Sequence, residues 1–185
     1  MKATLIIVAF VLVITGVFFV FDKESNSSAT IPIDNNTSTM QIKSSAFTNR
    51  EKIPSKYTCD GANINPELLF LNIPKDTKSL ALIFDDPDAP SGTWLHWSMW
   101  NISPDTKEIP ENSIPTGSVS GTTSFGNVGY GGPCPGVGEH RYFFRLFALD
   151  IVLDIPSGEN RTELEKTIAG HIIEQTKLIG TYSRN

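Results

Sequence analysis

The amino-acid sequence predicts a mainly β protein: an antiparallel β-sandwich with one C-terminal helix, preceded by one N-terminal transmembrane helix. Three observations support this fold class. Short runs of branched and aromatic residues are separated by Pro and Gly at intervals typical of sandwiches. One segment near the C-terminus repeats apolar residues at helical spacing. The chain also begins with a long apolar run that contains no charge.

This first apolar run, residues 4–21, is long enough to cross a bilayer. Its 18 residues would span about 27 Å as a helix, close to the thickness of the hydrocarbon core. A secretory signal has a shorter apolar region with a cleavage site close behind it. We therefore interpret residues 1–21 as an uncleaved signal anchor that holds the rest of the chain outside the cytosol. A cleaved signal, which would release a secreted protein, and a buried helix are the alternatives.

Residues 22–40 separate this anchor from the rest of the chain. They are rich in Ser, Thr and Asn and contain little that a core would bury, so we interpret them as a flexible tether. Residues 41–185 are interpreted as one folded domain. The whole chain has a net charge of −5, and a nucleic-acid partner is not expected because the phosphate backbone requires clustered Lys and Arg.

The strands of the domain are predicted from its apolar pattern. Residues 80–84 form a continuous apolar run, as in a strand buried on both faces. Three further segments have the composition of strands: residues 68–73, 95–100 and 142–149. The segment 95–100 alternates, which predicts two faces. The members of these faces are Leu95, Trp97 and Met99 on one side, and His96, Ser98 and Trp100 on the other.

One helix is predicted at about residues 161–177. Asn160 and Glu163 can form a capping box at its start. The apolar residues that recur at helical spacing, and that are predicted to pack on the sheet, are Leu164, Ile168 and Ile172. The long segment 103–129 has little periodicity, and loops of this length are usually functional or mobile.

Cys59 and Cys134 are the only two cysteines of the chain. In a domain outside the cytosol, two cysteines and no third favour a disulfide. The alternative is that they are two unrelated small apolar residues. Two isolated cysteines are not expected to bind a metal.

The first candidate site is the sequence DDPDAPSGTWLHW, residues 85–97. Asp86, Asp88 and His96 stand here beside strands that are predicted to be buried. Burying a charged side chain costs several kcal/mol unless the charge is paired or hydrogen-bonded. The segment is therefore either an ordinary surface turn or part of a pocket that binds a ligand.

The second candidate site is the sequence GYGGPCPGVGEHRY, residues 129–142. It also leads from a proline-stiffened loop into an apolar strand, with His140 at the junction. The backbone N–H groups of Gly131 and Gly132 can approach a ligand closely and form an anion-binding nest. His96 and His140 are candidate donors to an anion, and Asp86 and Asp88 either orient these histidines or accept from a cationic head group.

The motifs DPDAP and WLHW, followed by GYGGPCP and HRY, resemble the phosphatidylethanolamine-binding protein (PEBP) family in its prokaryotic Raf-kinase-inhibitor-like branch. The resemblance covers residues 41–185. It implies a compact antiparallel β-sandwich with a small pocket for phosphate-type anions and phospholipid head groups. The pocket residues that it implies are Asp86, Asp88, Pro90 and His96 from the first motif, and Gly131, Gly132, Pro133, His140 and Tyr142 from the second.

The function that this pattern favours is binding without catalysis and without a cofactor. A metal-activated hydrolase is disfavoured, because the two aspartates and two histidines lack a familiar ligand spacing. A serine hydrolase is disfavoured because no nucleophile elbow is present. The alternative function is an inhibitor or scaffold that binds a protein partner, such as a protease or a kinase, through its rigid loops.

The anchor interpretation makes a prediction about fractionation. The full chain should sediment with membranes and resist extraction with alkaline carbonate, because a spanning helix is held by the hydrophobic effect rather than by charge. A chain that starts at Thr39 should remain in the soluble fraction. Full-length expression that releases a shortened protein into the medium would show that the segment is a cleaved signal.

Overall fold

The computed structural model describes residues 39–184. A three-stranded sheet has the order β1-β2-β5, and a five-stranded sheet has the order β6-β4-β3-β7-β8. The strands are β1 (Gln41–Lys43), β2 (Leu68–Leu71), β3 (Ser79–Asp86), β4 (Trp94–Ile102), β5 (Glu108–Ile109), β6 (Val119–Ser120), β7 (Glu139–Leu149) and β8 (Ile172–Ser183). The helices are a 3₁₀ turn, Ser55–Tyr57, and α1, Arg161–Ile168.

All strand pairs within the two sheets are antiparallel, so the predicted mainly β, antiparallel fold with a C-terminal helix is confirmed. The predicted transmembrane segment, residues 1–21, lies outside the described residues, as does most of the tether. Among residues 39–184, no helix is both long and apolar enough to cross a membrane.

Strand β3 lies at the centre of the larger sheet, between β4 and β7, and all of its residues are buried. Its even-numbered residues, including Leu82 and Phe84, face the core between the two sheets. Its odd-numbered residues, including Ile83, face a second core that Leu164 and Ile168 of α1 cover. Each such side chain contributes about 1.5–3 kcal/mol when it is fully buried. The continuous apolar run of this strand therefore supports two layers.

The predicted helix is correct at its start and wrong at its end. The Asn160 side chain caps α1 by accepting a hydrogen bond from the Glu163 backbone N–H at 3.0 Å. The helix ends at Ile168, and Gly170 follows with a φ of +84°. Such a left-handed residue ends a helix and is favourable only for glycine.

Residues that were predicted to continue the helix instead begin β8. This strand pairs with β7 from Leu149↔Ile172 to Glu139↔Ser183. The ladder of backbone hydrogen bonds and cross-strand contacts outweighs the helical spacing of the apolar residues. Ile172 is consequently 39% exposed, and its predicted packing beside Leu164 and Ile168 is wrong.

The predicted alternation of strand β4 fails at one position. Phe84 pairs with Trp97 and Asp85 pairs with Leu95, so His96 is an extra residue between them. This β-bulge shifts the pattern by one residue. Leu95 belongs to the same core as Trp100, while the His96 ring packs on Phe84 at a centroid distance of 5.3 Å.

Strand β8 provides a test of the packing at the core between the sheets. A Cβ added at Gly180 would overlap the Ile53 side chain and lie 2.9 Å from Phe47. Gly180→Ala should therefore lower the free energy of unfolding by about 1–3 kcal/mol, because overpacking displaces buried side chains. The matched control is Gly136→Ala, whose Cβ would meet nothing within 4 Å. Equal stability of both variants in chemical denaturation would contradict this account.

Candidate functional site

Two adjacent carboxylates end strand β3 and lie on opposite faces of the sheet. Asp85 is fully buried on the face of α1, where its Oδ2 lies 3.2 Å from Arg145 Nε and 2.9 Å from Arg161 Nη1. Its pKa is raised by burial, an effect that the two arginines oppose. Because both arginines are engaged with it from neighbouring elements, Asp85 has a structural role.

Asp86 lies on the face between the two sheets and is only 3% exposed. His140 Nδ1 donates to Asp86 Oδ2 at 2.7 Å. The other carboxylate oxygen, Oδ1, accepts from the backbone N–H of Asp88 at 2.8 Å. Both oxygens of this buried carboxylate are thus hydrogen-bonded, which offsets the cost of removing it from water. The pair joins the end of β3 to the start of β7.

His96 occupies the bulge of β4 and is held by the second motif. Its Nδ1 donates to the carbonyl oxygen of Gly131 at 2.7 Å, and the Gly131 N–H donates to the carbonyl oxygen of His96 at 2.8 Å. A carbonyl oxygen only accepts, so the proton must be on Nδ1. Burial lowers the pKa of His96. The ring is therefore neutral at pH 7 and carries a lone pair on Nε2. No residue among 39–184 makes a hydrogen bond of good geometry to this nitrogen.

Tyr142 packs behind both imidazoles, with ring centroids 5.3 Å from His96 and 6.4 Å from His140. Its hydroxyl is buried without a hydrogen-bond partner of good geometry among the described residues. Burial raises the pKa of Tyr142, and the nearby Asp86 carboxylate raises it further. Tyr142 therefore stays neutral and positions the two imidazoles.

The two histidines line one cavity of about 230 Å³. The predicted site residues that line it are Asp86, Pro90, His96 and His140. Trp94 and Phe125 form an aromatic wall, with ring centroids 5.4 Å apart. The cavity combines one buried carboxylate, two imidazoles and an apolar wall, which suits a small polar ligand that carries both charge and carbon.

Asp88 does not reach this cavity. Its Oδ2 accepts from the backbone N–H and Nε of Arg141, at 2.9 and 2.8 Å, and its Oδ1 accepts from Nη2 at 2.7 Å. These hydrogen bonds lower the pKa of Asp88 to about 2. Arg141, which follows His140 directly, takes up both carboxylate oxygens, so Asp88 fixes the first loop to the start of β7. A contact between Asp88 and a ligand stays a prediction.

Both N–H groups of the predicted anion-binding nest make hydrogen bonds within the protein. The Gly131 N–H donates to the carbonyl oxygen of His96, and the Gly132 N–H donates to Asn63 Oδ1 at 2.7 Å. Anion binding by these groups stays a prediction. The need for glycine at 132 has another cause: a Cβ there would collide with the Tyr57 carbonyl oxygen and lie 2.8 Å from Thr58 Cα. These glycines allow close packing of the second loop.

A disulfide joins Cys59 and Cys134, with Cα atoms 5.4 Å apart. Beside it, the Cys59 N–H donates to the carbonyl oxygen of Pro133 at 3.1 Å. Cys134 lines the 230 Å³ cavity and also a neighbouring cavity of about 270 Å³ that contains Gly131 and Gly132. Pro133 therefore acts through its backbone as an anchor of the loop, and the disulfide holds one wall of the candidate site.

Sequence reasoning missed Trp94, Phe125 and Asn63. Phe125 lies edge-on to the His96 ring at 5.3 Å, although 44% of it is exposed. The sequence signal that could have identified Phe125 is an aromatic residue within the long Gly- and Ser-rich segment 103–129. The role of Asn63 could not have been predicted, because its side chain accepts from the backbone N–H of Gly132, which is distant in sequence. No group of three metal-ligating side chains occurs among residues 39–184.

The family profile described as "Phosphatidylethanolamine-binding protein" matches residues 43–183, which include every residue of this site. The chain belongs to the phosphatidylethanolamine-binding protein family. The resemblance seen in the motifs is thereby confirmed. The match begins just after the predicted tether.

Curated relatives and solved structures agree with the PEBP assignment. A UPF0098 protein of Methanothermobacter thermautotrophicus is 50% identical over 150 residues, or 78% of this chain and 99% of that protein. The crystal structure of CT736 of Chlamydia trachomatis, a putative PEBP homolog, has a TM-score of 0.77 and 39% identity, and covers 80% and 99% of the two chains. YbcL of E. coli, described as a member of the mammalian PEBP family, has a TM-score of 0.75 and 27% identity, and covers 80% and 100%.

The position of the disulfide leads to a stability prediction. Replacing Cys59 by Ala should lower the free energy of unfolding by about 2–4 kcal/mol, because the unfolded chain loses a cross-link that closes a long loop. Chemical denaturation with and without reductant measures this loss, and the variant itself should be insensitive to reductant. Two alkylatable thiols in the folded protein, isolated under oxidising conditions, would contradict the bridge.

Proposed function

We propose that this PEBP domain binds a phosphate-bearing small molecule or a phospholipid head group in the 230 Å³ cavity, without catalysis. The observation that supports this most directly is the state of the two imidazoles. His96 and His140 line one cavity, each has its Nδ1 engaged by the protein, and neither Nε2 has a described hydrogen-bond partner. Two ring nitrogens are thus available to a single small ligand.

The chemistry of these nitrogens favours an anion that binds together with a proton, carried either by a histidine or by the ligand. A neutral imidazole whose Nδ1 carries the hydrogen offers only a lone pair at Nε2. Protonation turns Nε2 into a donor, and for His140 the new positive charge lies 2.7 Å from the Asp86 carboxylate. A protonated histidine can then donate to a phosphoryl oxygen, and a neutral one can accept from a phosphate O–H.

The size and charge of the cavity favour a zwitterionic head group. Its volume of about 230 Å³ accommodates a head group but not acyl chains. The Asp86 carboxylate compensates one imidazolium, so the cavity does not accumulate positive charge as a site for highly charged polyphosphates would. Trp94 and Phe125 offer aromatic faces and edges to the carbon atoms or ammonium of an ethanolamine-type group. Phosphoethanolamine combines these features.

We propose binding rather than hydrolysis because, among the described residues, no hydroxyl in the cavity is hydrogen-bonded to a histidine that could act as its base. Ser91 also lines the cavity, but its hydroxyl makes no hydrogen bond to either imidazole among the described contacts. A nucleophile needs an adjacent base within hydrogen-bond reach. The Asp86–His140 pair therefore serves to hold charge.

The proposed setting of this site is the outer surface of a membrane. Residues 1–21 would anchor the chain, and the tether of residues 22–40 would let the cavity meet head groups or soluble phosphate esters nearby. A coil of 19 residues reaches about 25 Å on average. The anchor and the ligand are separate parts of the proposal, since the cavity would bind a soluble ligand equally well after release.

The state of His96 predicts that binding takes up a proton. Burial lowers the pKa of His96, so near pH 7 the neutral ring must gain a proton before it can donate to an anion. The affinity for phosphoethanolamine should therefore rise as the pH falls from 8 to 6, by up to roughly tenfold per pH unit for one coupled proton. Titration calorimetry in buffers of different ionisation enthalpy measures the proton uptake.

The matched variants are His96→Ala, His140→Ala and His171→Ala. The first two should reduce the affinity for phosphoethanolamine at least tenfold, while His171 is a control because it pairs with Asp150 outside the cavity. Affinity that is unchanged by the first two variants and independent of pH would contradict the proposed site. A protein partner that remains bound to His140→Ala would instead favour the inhibitor or scaffold function.

A further inference from the structure

The outer edge of strand β8 is paired along only half of its length. Near the C-terminus, the Arg50 N–H donates to the Ile179 carbonyl at 2.6 Å and the Ile53 N–H donates to the Thr181 carbonyl at 2.8 Å. The Thr181 N–H donates in turn to Glu51 at 2.9 Å. The odd-numbered residues of β8 therefore direct their backbone groups outward, away from β7.

The same alternation applies to Gln175 and Lys177, which oppose Phe147 and Arg145 of β7 in unbroken register. In an antiparallel pair, every second residue directs its N–H and C=O away from its neighbour. Within residues 39–184, no backbone group pairs with the outward N–H and C=O groups of Gln175 and Lys177. Both residues are exposed, so this half of the edge can accept another strand.

A groove of different character flanks the edge on each side. One, of about 410 Å³, is lined by Arg145, Gln175 and Lys177 together with Thr176. The other, of about 450 Å³, is lined by the apolar residues Ile42, Phe47 and Leu178 and by polar residues that include Lys43, Thr176 and Lys177. A strand added at the edge would alternate its side chains between the first groove, which is cationic, and the second, which is largely apolar.

The positive charge of the first groove that no carboxylate offsets comes from Lys177. Arg145 pairs with Asp85, a carboxylate that it shares with Arg161, and Arg161 also pairs with Glu165. Lys177 makes no ion pair with a described residue, and its Nζ lies 5.7 Å from the Phe143 ring centroid. The chain as a whole has a net charge of −5. The local excess of positive charge therefore favours a negatively charged partner at this groove.

We propose that the edge at Gln175–Lys177 binds an extended peptide segment in which acidic and apolar residues alternate, by adding it as a strand to the sheet. Residues directly opposite one another share a face of the sheet. Acidic side chains opposite Gln175 and Lys177 would enter the cationic groove, and apolar ones opposite Thr176 would meet Phe47 and Leu178. A second copy of this chain fits poorly, because pairing about Thr176 would bring both copies of Lys177 and Arg145 onto one face.

The probe is an acetylated, fluorescein-labelled Glu-Val-Glu-Val-Glu-Val peptide, added to the full chain purified in a mild detergent. Fluorescence anisotropy should show saturable binding that weakens at least tenfold between 0.05 and 1 M salt, as roughly expected when exposed charges are screened. Hydrogen–deuterium exchange should show protection of residues 172–178 on binding. The control peptides are Lys-Val-Lys-Val-Lys-Val, with the opposite charge, and Glu-Glu-Glu-Val-Val-Val, without the alternation.

Two variants separate the charge from the backbone pairing. Lys177→Glu should weaken binding of the acidic peptide at least tenfold. Gln175→Pro removes an outward N–H without removing a bond to β7, and edge strands tolerate proline at such positions; it should abolish binding while Gln175→Ala preserves it. If Gln175→Pro does not fold, Lys177→Glu and the salt dependence decide.

Three results would overturn the proposal: no binding at millimolar peptide, equal binding of both charge types, or protection confined to the His96–His140 cavity. Dimerisation through residues 172–178, measured by analytical ultracentrifugation and lost in Gln175→Pro, would also overturn it by showing that a second copy occupies the edge. The outcome is independent of phosphoethanolamine binding, because the two sites share no residue.

Discussion

Two neighbouring carboxylates at the end of a strand buried on both faces constrain the whole arrangement. Successive residues of a strand point to opposite faces, so Asp85 and Asp86 enter two different cores, each with almost no exposure to water. Each buried charge costs several kcal/mol unless partners compensate it. The partners of Asp85 come from β7 and the start of α1, and the main partner of Asp86 is His140. Helix, strand and cavity wall are thus positioned by the need to satisfy these two groups.

The second requirement of the site is an irregularity in the neighbouring strand. Without the bulge in β4, His96 would face the same core as Ile83 and Trp100, on the opposite side of the sheet from the cavity. The extra residue turns the ring toward Phe84 and brings its Nδ1 within 2.7 Å of the Gly131 carbonyl. Bulges often re-aim a side chain next to a binding site. Here the bulge makes the two histidines line one cavity although they lie on strands separated by β3.

How much of this the sequence predicts depends on the kind of interaction. The central strand and the motif residues Asp86, His96 and His140 could be predicted, because apolar runs and unusual polar residues are visible locally. The end of α1 could not, since the pairing of residues 172–178 with β7 is non-local and overrides their helical spacing. The roles of Asp88 and Gly131 were also inaccessible. A sequence shows which donors and acceptors exist, but only the fold shows which are already engaged with one another.

Strand β7 separates the two proposed binding functions by the alternation of its side chains. Its even-numbered residues face the core between the sheets, where His140 lines the cavity and Tyr142 packs behind it, whereas Arg141, Phe143 and Arg145 face the outer side. Because successive side chains of a strand point to opposite faces, the cations of the outer side point away from the cavity that Asp86, His96 and His140 line. The two surfaces can therefore differ in electrostatic character while sharing one strand, and occupation of one need not alter the charge of the other.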